Sequence, residues 1–325
     1  MTVTRRTLLA AGAAAPLLPS FANAQARWQM ATPYPDGNFH TRNNRAFVEA
    51  IQTATAGRVQ VQIHSNASLL PMAQIKRGVQ QGQVQLGEIL LSAYGNEDPF
   101  FEIDGVPMLA PTIAQARRLN ELTRPFIETR FQRQGLSLLY TVAWPNSGFY
   151  TNTPVDTLEA LRGSRFRTFS VMTNRFATLI GANPALIQAA EVPQAFATGV
   201  VNAMVTSAAT GVDSSAWDFS RIYTPVGFTH TRNAVFVNRR AFEALSAADQ
   251  AAIRTAATAA EAAGWRLAEE AIAASEATLA QRGMTVARPS PALLEALDRI
   301  GQEMTREWVT RAGDDGARVI AAYRG

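Results

Sequence analysis

The chain has 325 residues, of which 47% are hydrophobic and 17% are charged, and this composition excludes a disordered protein. Its length indicates two domains, or one large domain, at roughly 100–200 residues per domain. The net charge of +4 is not gathered into basic runs, so nothing supports nucleic-acid binding. The lack of cysteine in the sequence excludes disulfides, thiolate metal sites, cysteine nucleophiles and iron–sulfur clusters.

Residues 1–24 have the pattern of a secretory signal peptide. Two arginines form a charged start, an apolar run extends from Leu8 to Leu18, and small residues precede Ala24. The alternative, a membrane anchor, needs about 20 apolar residues, and this run is shorter. We therefore expect export to the periplasm with cleavage near Ala24. The paired arginines leave open whether the Sec or the twin-arginine route is used.

The first part of the mature chain alternates predicted strands with predicted helices. The elements are strand 27–32, helix 41–55, strand 59–63, helix 72–80, strand 84–91, helix 113–134 and strand 136–142. Strands and helices that alternate in this way form parallel sheets joined by right-handed crossovers. We expect them to build a first lobe from residues 25–143.

A second series of the same kind follows it. Its elements are a helical turn at 157–161, strand 165–169, helix 170–180, a strand edge at 186–188, helix 191–198 and strand 200–205. This series predicts a second lobe, residues 144–227. A strand at 233–237 is expected to return to the first lobe, within residues 228–245. The two crossings between the lobes, near 142–144 and 227–235, are candidate hinge strands.

The last part of the chain is predicted to be mostly helical. Ser246 begins a capping box, and an alanine- and glutamate-rich helix extends from it to about Gln281. A helix of about 35 residues is ~50 Å long, enough to brace two lobes. A dimerising coiled coil would need a sustained heptad repeat, which this sequence lacks. We expect residues 246–325, including a final helix from Ser290, to pack on both lobes of a monomer.

Catalytic and metal-binding patterns are missing from the sequence. His40, His64 and His230 have no acidic or histidine neighbour at metal-ligand spacing. There is no His-Glu-x-x-His, no Gly-x-Ser-x-Gly and no glycine-rich phosphate loop. An enzyme is therefore disfavoured, although a catalytic triad is defined by its geometry and not by its spacing.

Arg167 is the charged residue that needs an explanation. It lies inside the predicted strand 165–169 of a parallel unit, where both faces of the sheet are normally covered. A buried arginine must be paired or must face a cleft. Its planar guanidinium can hold a carboxylate through two parallel hydrogen bonds. The residues alone leave both readings open, an internal ion pair and a ligand contact.

Several short segments, always in the same order, carry a resemblance to a known family. They are Thr157-Leu-Glu-Ala-Leu-Arg-Gly-Ser-Arg-Phe-Arg167, Gly181-Ala-Asn-Pro184, the segment from Glu191 to Asn202, Gly57-Arg-Val-Gln-Val61, the segment from Val79 to Glu88, and Val106-Pro-Met-Leu-Ala-Pro111. Over about residues 28–310 the chain resembles the DctP family, the extracytoplasmic solute receptors of TRAP transporters. The resemblance implies the two-lobe α/β fold of periplasmic binding proteins, with hinge strands and a long bracing helix. It also implies a small organic acid bound in the cleft and delivery to a sodium-driven TRAP membrane permease.

The resemblance also implies roles for particular residues. Arg167 occupies the position of the family's arginine that forms a salt bridge with the ligand carboxylate. Glu88 matches a glutamate that contacts the ligand in sialic-acid-type members, with a surface role at an element edge as the alternative. Thr206 stands where an asparagine helps to hold the carboxylate, and the family's second arginine has no counterpart in segment 146–150. Fewer charged anchors favour a monocarboxylate with an apolar or aromatic body.

Aromatic and polar residues near these positions complete the expected site. Trp144, Tyr150 and Trp217 could stack on the ligand body or belong to the core. The full set of expected ligand-binding residues is Arg167, Thr206, Glu88, Tyr34, Trp144, Asn146, Ser147, Tyr150, Ser207 and Trp217. No metal and no cofactor are expected. The competing hypotheses are a receptor for an ABC importer, a secreted α/β enzyme and a signalling ectodomain.

Overall fold

Residues 25–325, the part of the chain that the computed structural model describes, form two β-sheets surrounded by helices. The predicted signal peptide, residues 1–24, lies outside the described residues. The strands are β1 (Ala26–Ala31), β2 (Val59–His64), β3 (Leu86–Leu90), β4 (Leu136–Ala143), β5 (Ser147–Thr151), β6 (Arg165–Thr168), β7 (Asn183–Leu186), β8 (Ala203–Ser207), β9 (Ile222–Thr224), β10 (Arg232–Asn238) and β11 (Thr285–Val286).

The α-helices alternate with these strands and then dominate the end of the chain. They are α1 (Phe39–Ala54), α2 (Met72–Gln80), α3 (Ile113–Arg133), α4 (Val171–Leu179), α5 (Val192–Ala197), α6 (Ala208–Asp213), α7 (Arg239–Glu243), α8 (Ala247–Gln281) and α9 (Pro291–Arg324). Among the described residues, no helix is both long and apolar enough to cross a membrane.

The first sheet has the strand order β2-β1-β3-β10-β4. As predicted, β1 pairs in parallel with β2 and β3, because α1 and α2 return the chain to the same edge. The returning strand β10 lies between β3 and β4 and is antiparallel to both. The sheet is therefore mixed, and one of its inner strands reaches it from the other half of the molecule.

The second sheet has the order β11-β9-β5-β8-β6-β7, in which β6 is parallel to β7 and β8. Two strands lie a few residues from their predicted positions. β8 begins at Ala203 because the chain turns at Gly199, whose φ is +71°, and stays in that turn through Asn202. β7 begins at Asn183 and includes Pro184, which is tolerated because β7 is an edge strand.

Two short crossings join the sheets, at residues 144–146 and 225–231, and helix α8 makes a third crossing to β11. The two crossings run side by side: the amide of Trp144 donates to the carbonyl of Thr231 (2.7 Å), and that of Ser147 to the carbonyl of Thr229 (3.0 Å). This pairing places the ends of both crossings at one point between the sheets.

Helix α8 joins the two halves, as its length predicts. Its first residues are capped by Ser246, whose hydroxyl accepts from the amide of Asp249 (3.1 Å). The helix packs on α1 and β4 and then on α6 and β11. Helix α9 bends at Gly313, whose φ of +64° is outside the helical range, so the predicted final helix is two helical segments.

Candidate functional site

A small cavity lies between the two sheets, where the crossings meet. It is lined by Tyr34, Met72, Leu90, Trp144, Ser147, Arg167, Phe169, Gln188, Ala189, Thr206, Ser207, Thr210 and Thr231. Its volume is about 30 Å³, far below the ~300–1,000 Å³ that ligand pockets span, so the cavity is nearly closed in this conformation and must widen to admit a ligand. Several lining residues stand at or just beyond the carboxyl ends of parallel strands, the edge at which open α/β sheets bind ligands.

Arg167 lies on β6 and is only 2% exposed. Its Nε donates to the backbone carbonyl of Ile187 (2.8 Å), and its Nη1 has no hydrogen-bond partner among residues 25–325. No carboxylate oxygen in that range lies within 4.0 Å of its nitrogens. Burial lowers the pKa of Arg167 to about 10, with Tyr34 and then Glu191 acting in the opposite direction. The described part of the chain therefore provides no ion pair for this cation.

Polar groups of the second sheet surround the same point. Thr206 and Ser207 form the end of β8, and Thr210 follows in α6. The Ser207 hydroxyl accepts from the amide of Thr210 (3.1 Å) and lies 3.1 Å from its hydroxyl. Ser147, the first residue of β5, lies on the cavity side of its strand. This wall can donate and accept hydrogen bonds but carries no charge other than that of Arg167.

The opposite wall is aromatic. The rings of Tyr34 and Trp144 meet edge to face, with their centroids 4.9 Å apart. Both donate to one oxygen, Oδ1 of Asn233, from the Tyr34 hydroxyl (3.2 Å) and from the Trp144 indole nitrogen (2.8 Å). His40 packs 4.4 Å behind Trp144, and burial lowers its pKa well below the usual range, so this imidazole is neutral.

Glu88 lies behind this wall and not in the cavity. It is 1% exposed and accepts from the Thr32 hydroxyl (2.5 Å), from Asn44 Nδ2 (2.8 Å) and from Asn233 Nδ2 (2.9 Å). Burial raises the pKa of Glu88, and these three hydrogen bonds oppose the rise. Neither expectation for Glu88, a direct ligand contact or a surface role, matches its position, because β3 is covered on both faces.

Three further expected site residues, besides Glu88, lie outside the cavity. Tyr150 is three positions after Ser147 on β5 and so points to the opposite face. There its hydroxyl donates to the carbonyl of Ser207 (3.1 Å), and its ring packs 4.7 Å from Tyr223 in a second core cluster. Trp217 packs against that same cluster, under the guanidinium of Arg282. Asn146 lies in the first crossing, where its carbonyl accepts from the Tyr223 hydroxyl (3.5 Å).

Several lining residues were not among the expected ones. They are Met72, Leu90, Phe169, Gln188, Ala189, Thr210 and Thr231. Phe169 and Leu90 stand at the carboxyl ends of β6 and β3, so the rule that ligands bind at these strand ends points to them. Asn233 does not line the cavity, and its role in holding two lining aromatics has no signal in the sequence.

The described residues hold no group of three or more histidines and carboxylates placed to bind a metal ion. The charge available to a ligand at this cavity is therefore the single positive charge of Arg167.

A family model described as "Bacterial extracellular solute-binding protein, family 7" (DctP) matches residues 31–311. Among solved structures, DctP7 of Bordetella pertussis, an extracytoplasmic solute receptor binding pyroglutamic acid, is 44% identical. It superposes with a TM-score of 0.91 over 92% of this chain and 100% of that chain. DctP6 of the same organism, also described as binding pyroglutamic acid, is 37% identical, with a TM-score of 0.91 and coverage of 92% and 99%.

Two further relatives come from other sources. A marine metagenome TRAP solute-binding protein, specific for pyroglutamate, is 32% identical, with a TM-score of 0.90 over 92% of this chain and 99% of that chain. UehA of Ruegeria pomeroyi, an ectoine/5-hydroxyectoine-binding periplasmic protein, is 25% identical over 213 residues. That match spans 62% of this chain and 61% of UehA, less than two thirds of the relative's length. The solved structures confirm the predicted two-lobe α/β fold.

Proposed function

Because the chain belongs to bacterial extracellular solute-binding protein family 7, the DctP family, we propose that it is the solute receptor of a TRAP transporter. It binds a small monocarboxylate in the cavity between the sheets and delivers it to the TRAP permease. It acts in the periplasm after its signal peptide is cleaved near Ala24. The proposed receptor acts as a monomer.

The observation that carries this proposal is the buried guanidinium of Arg167. A buried cation is costly unless an anion compensates it, and the described residues supply none within ion-pair distance. A carboxylate entering the cavity would accept from the free Nη1 and remove that cost. Of the two readings that the sequence left open, a ligand contact is therefore the better supported one.

The lining also supports a single carboxylate. Arg167 is the one charged side chain among the described residues that line the cavity. A dicarboxylate would bury its second charge without a partner, at a cost of several kcal/mol. Pyroglutamate, the ligand described for three relatives, has one carboxylate on a small cyclic amide. Its ring suits the apolar side chains of Met72, Leu90 and Phe169, and its amide carbonyl suits the hydroxyl groups of the polar wall.

Specific roles follow for the remaining lining residues. Thr206, Ser207 and Ser147 complete the polar wall around the carboxylate, and Tyr34 and Trp144 form the aromatic wall. Glu88 acts from behind this wall, through Asn233. Tyr150, Trp217 and Asn146 are assigned to packing and not to the ligand, because they lie outside the cavity.

The lobes close around the ligand by rotation about the two crossings, which are the proposed hinge. The first sheet forms lobe I, from residues 25–143 and 228–245, and the second is built mainly from lobe II, residues 144–227. A hydrogen bond from Asn38 Nδ2 to Asp213 Oδ2 (2.6 Å) joins the lobes beside the cavity. Small-angle scattering should show a smaller radius of gyration with saturating ligand, and an unchanged profile would contradict closure.

Isothermal titration calorimetry of the receptor purified from the periplasm tests the proposed function. Pyroglutamate should bind in a saturable manner, and succinate should bind much more weakly. At 100 times its dissociation constant the ligand should stabilise the fold by ~2.7 kcal/mol in a melting experiment. Failure of every monocarboxylate to bind, or preference for succinate, would overturn the proposal. The mass of the purified protein reports separately whether cleavage occurs after Ala24.

A further inference from the structure

The buried side-chain amide of Asn233 controls the direction of the hydrogen bonds in the aromatic wall. Its Oδ1 accepts from both Tyr34 and Trp144, while its Nδ2 donates to Glu88. We propose that Asn233 is a specificity-determining positioning residue: it makes the Tyr34 oxygen a hydrogen-bond acceptor, so the cavity selects carboxylates that also carry an N–H or O–H donor. This inference rests on the proposed function and specifies its ligand class.

Glu88 keeps the amide of Asn233 in this orientation. Glu88 lies opposite Val235 in the β3–β10 pairing, and Asn233 is two residues along β10, so the two side chains share a face of the sheet. Glu88 accepts hydrogen bonds from Thr32, Asn44 and Asn233, which favour its ionised form, and its Oε1 lies 2.9 Å from Asn233 Nδ2. An ionised carboxylate only accepts hydrogen bonds. If the Asn233 amide were flipped, its oxygen would face the Glu88 carboxylate oxygen, and its N–H groups would face the indole N–H of Trp144. Both contacts are repulsive, so only one orientation fits.

Because the Asn233 amide is fixed, the Tyr34 oxygen can accept a hydrogen bond from a ligand but cannot donate one. A phenol has one O–H donor, and that of Tyr34 is directed to Asn233. Burial raises the pKa of Tyr34 well above its usual range, so the proton stays on the oxygen. Tyr34 and Arg167 line the same cavity. A ligand whose carboxylate is held by Arg167 therefore meets an acceptor beside it.

The indole N–H of Trp144 is likewise unavailable to a ligand, because it already donates to Asn233. Its only N–H is directed to Asn233 at 2.8 Å, so it offers the cavity only its ring. The two side chains that could have donated from this wall thus both donate to the same buried oxygen. The preference for a donor-bearing ligand comes from a residue that does not line the cavity.

Two ligands that differ in one atom test this inference. In pyroglutamate an N–H adjoins the carbon that carries the carboxylate, and in its lactone analogue, 5-oxotetrahydrofuran-2-carboxylate, a ring oxygen replaces that N–H. The two have the same charge and nearly the same shape. Calorimetry on the wild-type receptor should show tighter binding of the lactam by about ten- to a hundredfold, since the lactone sets an acceptor against the Tyr34 oxygen.

Variants then show which residues cause the difference in affinity between the lactam and the lactone. Tyr34→Phe should bring the lactam-to-lactone ratio close to one, chiefly by weakening the lactam. Asn233→Ala frees the Tyr34 hydroxyl to rotate and should reduce the ratio at least about fivefold. Asn44→Ala is the matched control, because Asn44 is equally buried and also donates to Glu88 (2.8 Å) but bonds to neither Tyr34 nor Trp144. Its ratio should remain that of the wild type.

Equal wild-type affinities for lactam and lactone, with binding still dependent on Arg167, would overturn this inference and leave the proposed function intact. A wild-type ratio that survives in Tyr34→Phe would also overturn it. Should neither compound nor any other monocarboxylate bind the wild type, the proposed function and this inference fail together. If Asn233→Ala melts before assay, the wild type and Tyr34→Phe still decide the outcome.

Discussion

Each of the two sheets buries one arginine, but only one of the two arginines forms an ion pair with another described residue. Arg232, on β10 of the first sheet, is 1% exposed, and its Nε lies 3.0 Å from Asp104 Oδ2. Its Nη1 also donates to Asn120 (2.7 Å) and Thr123 (3.0 Å). Arg167, on β6 of the second sheet, is 2% exposed and donates only to one backbone carbonyl.

This difference separates a structural cation from one that is available to a ligand. Arg232 has a carboxylate and two further acceptors within its own fold, so its charge is compensated when the chain folds. Arg167 is equally deep but lines a cavity and has no ion-pair partner among the described residues. An unpartnered nitrogen does not separate the two, because Nη2 of Arg232 also lacks a hydrogen-bond partner in residues 25–325. Burial alone therefore does not identify a binding arginine. The identifying feature is burial without an internal anion, next to empty space.

The largest expected effect is the loss of stability in Arg232→Met. The substitution leaves Asp104, whose side chain is 2% exposed, without its cation. Breaking a buried ion pair from one side costs about 3–5 kcal/mol. Urea denaturation should show this decrease in the free energy of unfolding. A decrease below 1 kcal/mol would mean that the Arg232–Asp104 pair is not structural.

The same substitution at the other arginine, Arg167→Met, should have the opposite effect: it should weaken ligand binding without destabilising the fold. The free energy of unfolding of the ligand-free protein should stay the same or increase, because an uncompensated buried charge is removed. Binding of the best monocarboxylate should weaken by about 2–5 kcal/mol, the cost of leaving a buried carboxylate unpaired. Calorimetry and urea denaturation on both methionine variants form a matched set. Affinity equal to that of the wild type would refute the role of Arg167.

A smaller effect is expected for Arg167→Lys. The lysine keeps the positive charge but replaces the planar, two-pronged donor with a point charge. We expect affinity to fall by about 1.5–3 kcal/mol, roughly the contribution of a hydrogen bond to a charged group. Calorimetry measures the difference directly. Full affinity in this variant would show that charge alone, and not the guanidinium geometry, holds the ligand.

The smallest effect is expected from pH. Arg167 has a pKa of about 10, lowered from its ordinary value by burial, so it stays protonated well above neutral pH. A bound carboxylate favours the charged form, so affinity should decline only when the pH rises through that value. His40, behind the aromatic wall, stays neutral because burial lowers its pKa. Affinity should thus be constant from about pH 7.5 to pH 8.5. Towards pH 6 it should decline slightly, because burial raises the pKa of Asp213, which joins the lobes through Asn38, to about 6.

Local patterns predicted much of the fold because the forces behind them are local. The serine cap at Ser246 and the continuous run of helix formers after it predicted a helix to about Gln281, where α8 ends. The alternation of Val59, Val61 and Ile63 with polar residues predicted β2, since that strand is covered on one face only. The shifted bounds of β7 and β8 come from turn residues whose effect on the strands depends on neighbouring chain segments.

The faces of the buried strands could not be predicted in this way. β5 and β8 are buried at every position, so no alternation of polar and apolar residues marks the side that meets the cavity. Tyr150 was therefore expected in the site although it faces the second core cluster, and Phe169 was missed although it lines the cavity. When both faces of a strand are covered by other parts of the chain, the sequence of the strand does not show which face meets the cavity.

The sequence by itself determined the alternation of strands and helices, the long helix, and the need of one buried arginine for a partner. Only the tertiary structure decided which arginine has that partner. Asp104 reaches Arg232 across 128 positions of the chain, whereas no carboxylate oxygen of the described residues lies within 4.0 Å of a side-chain nitrogen of Arg167. A charge in a strand is a property of one residue, but its compensation depends on segments that only folding brings together.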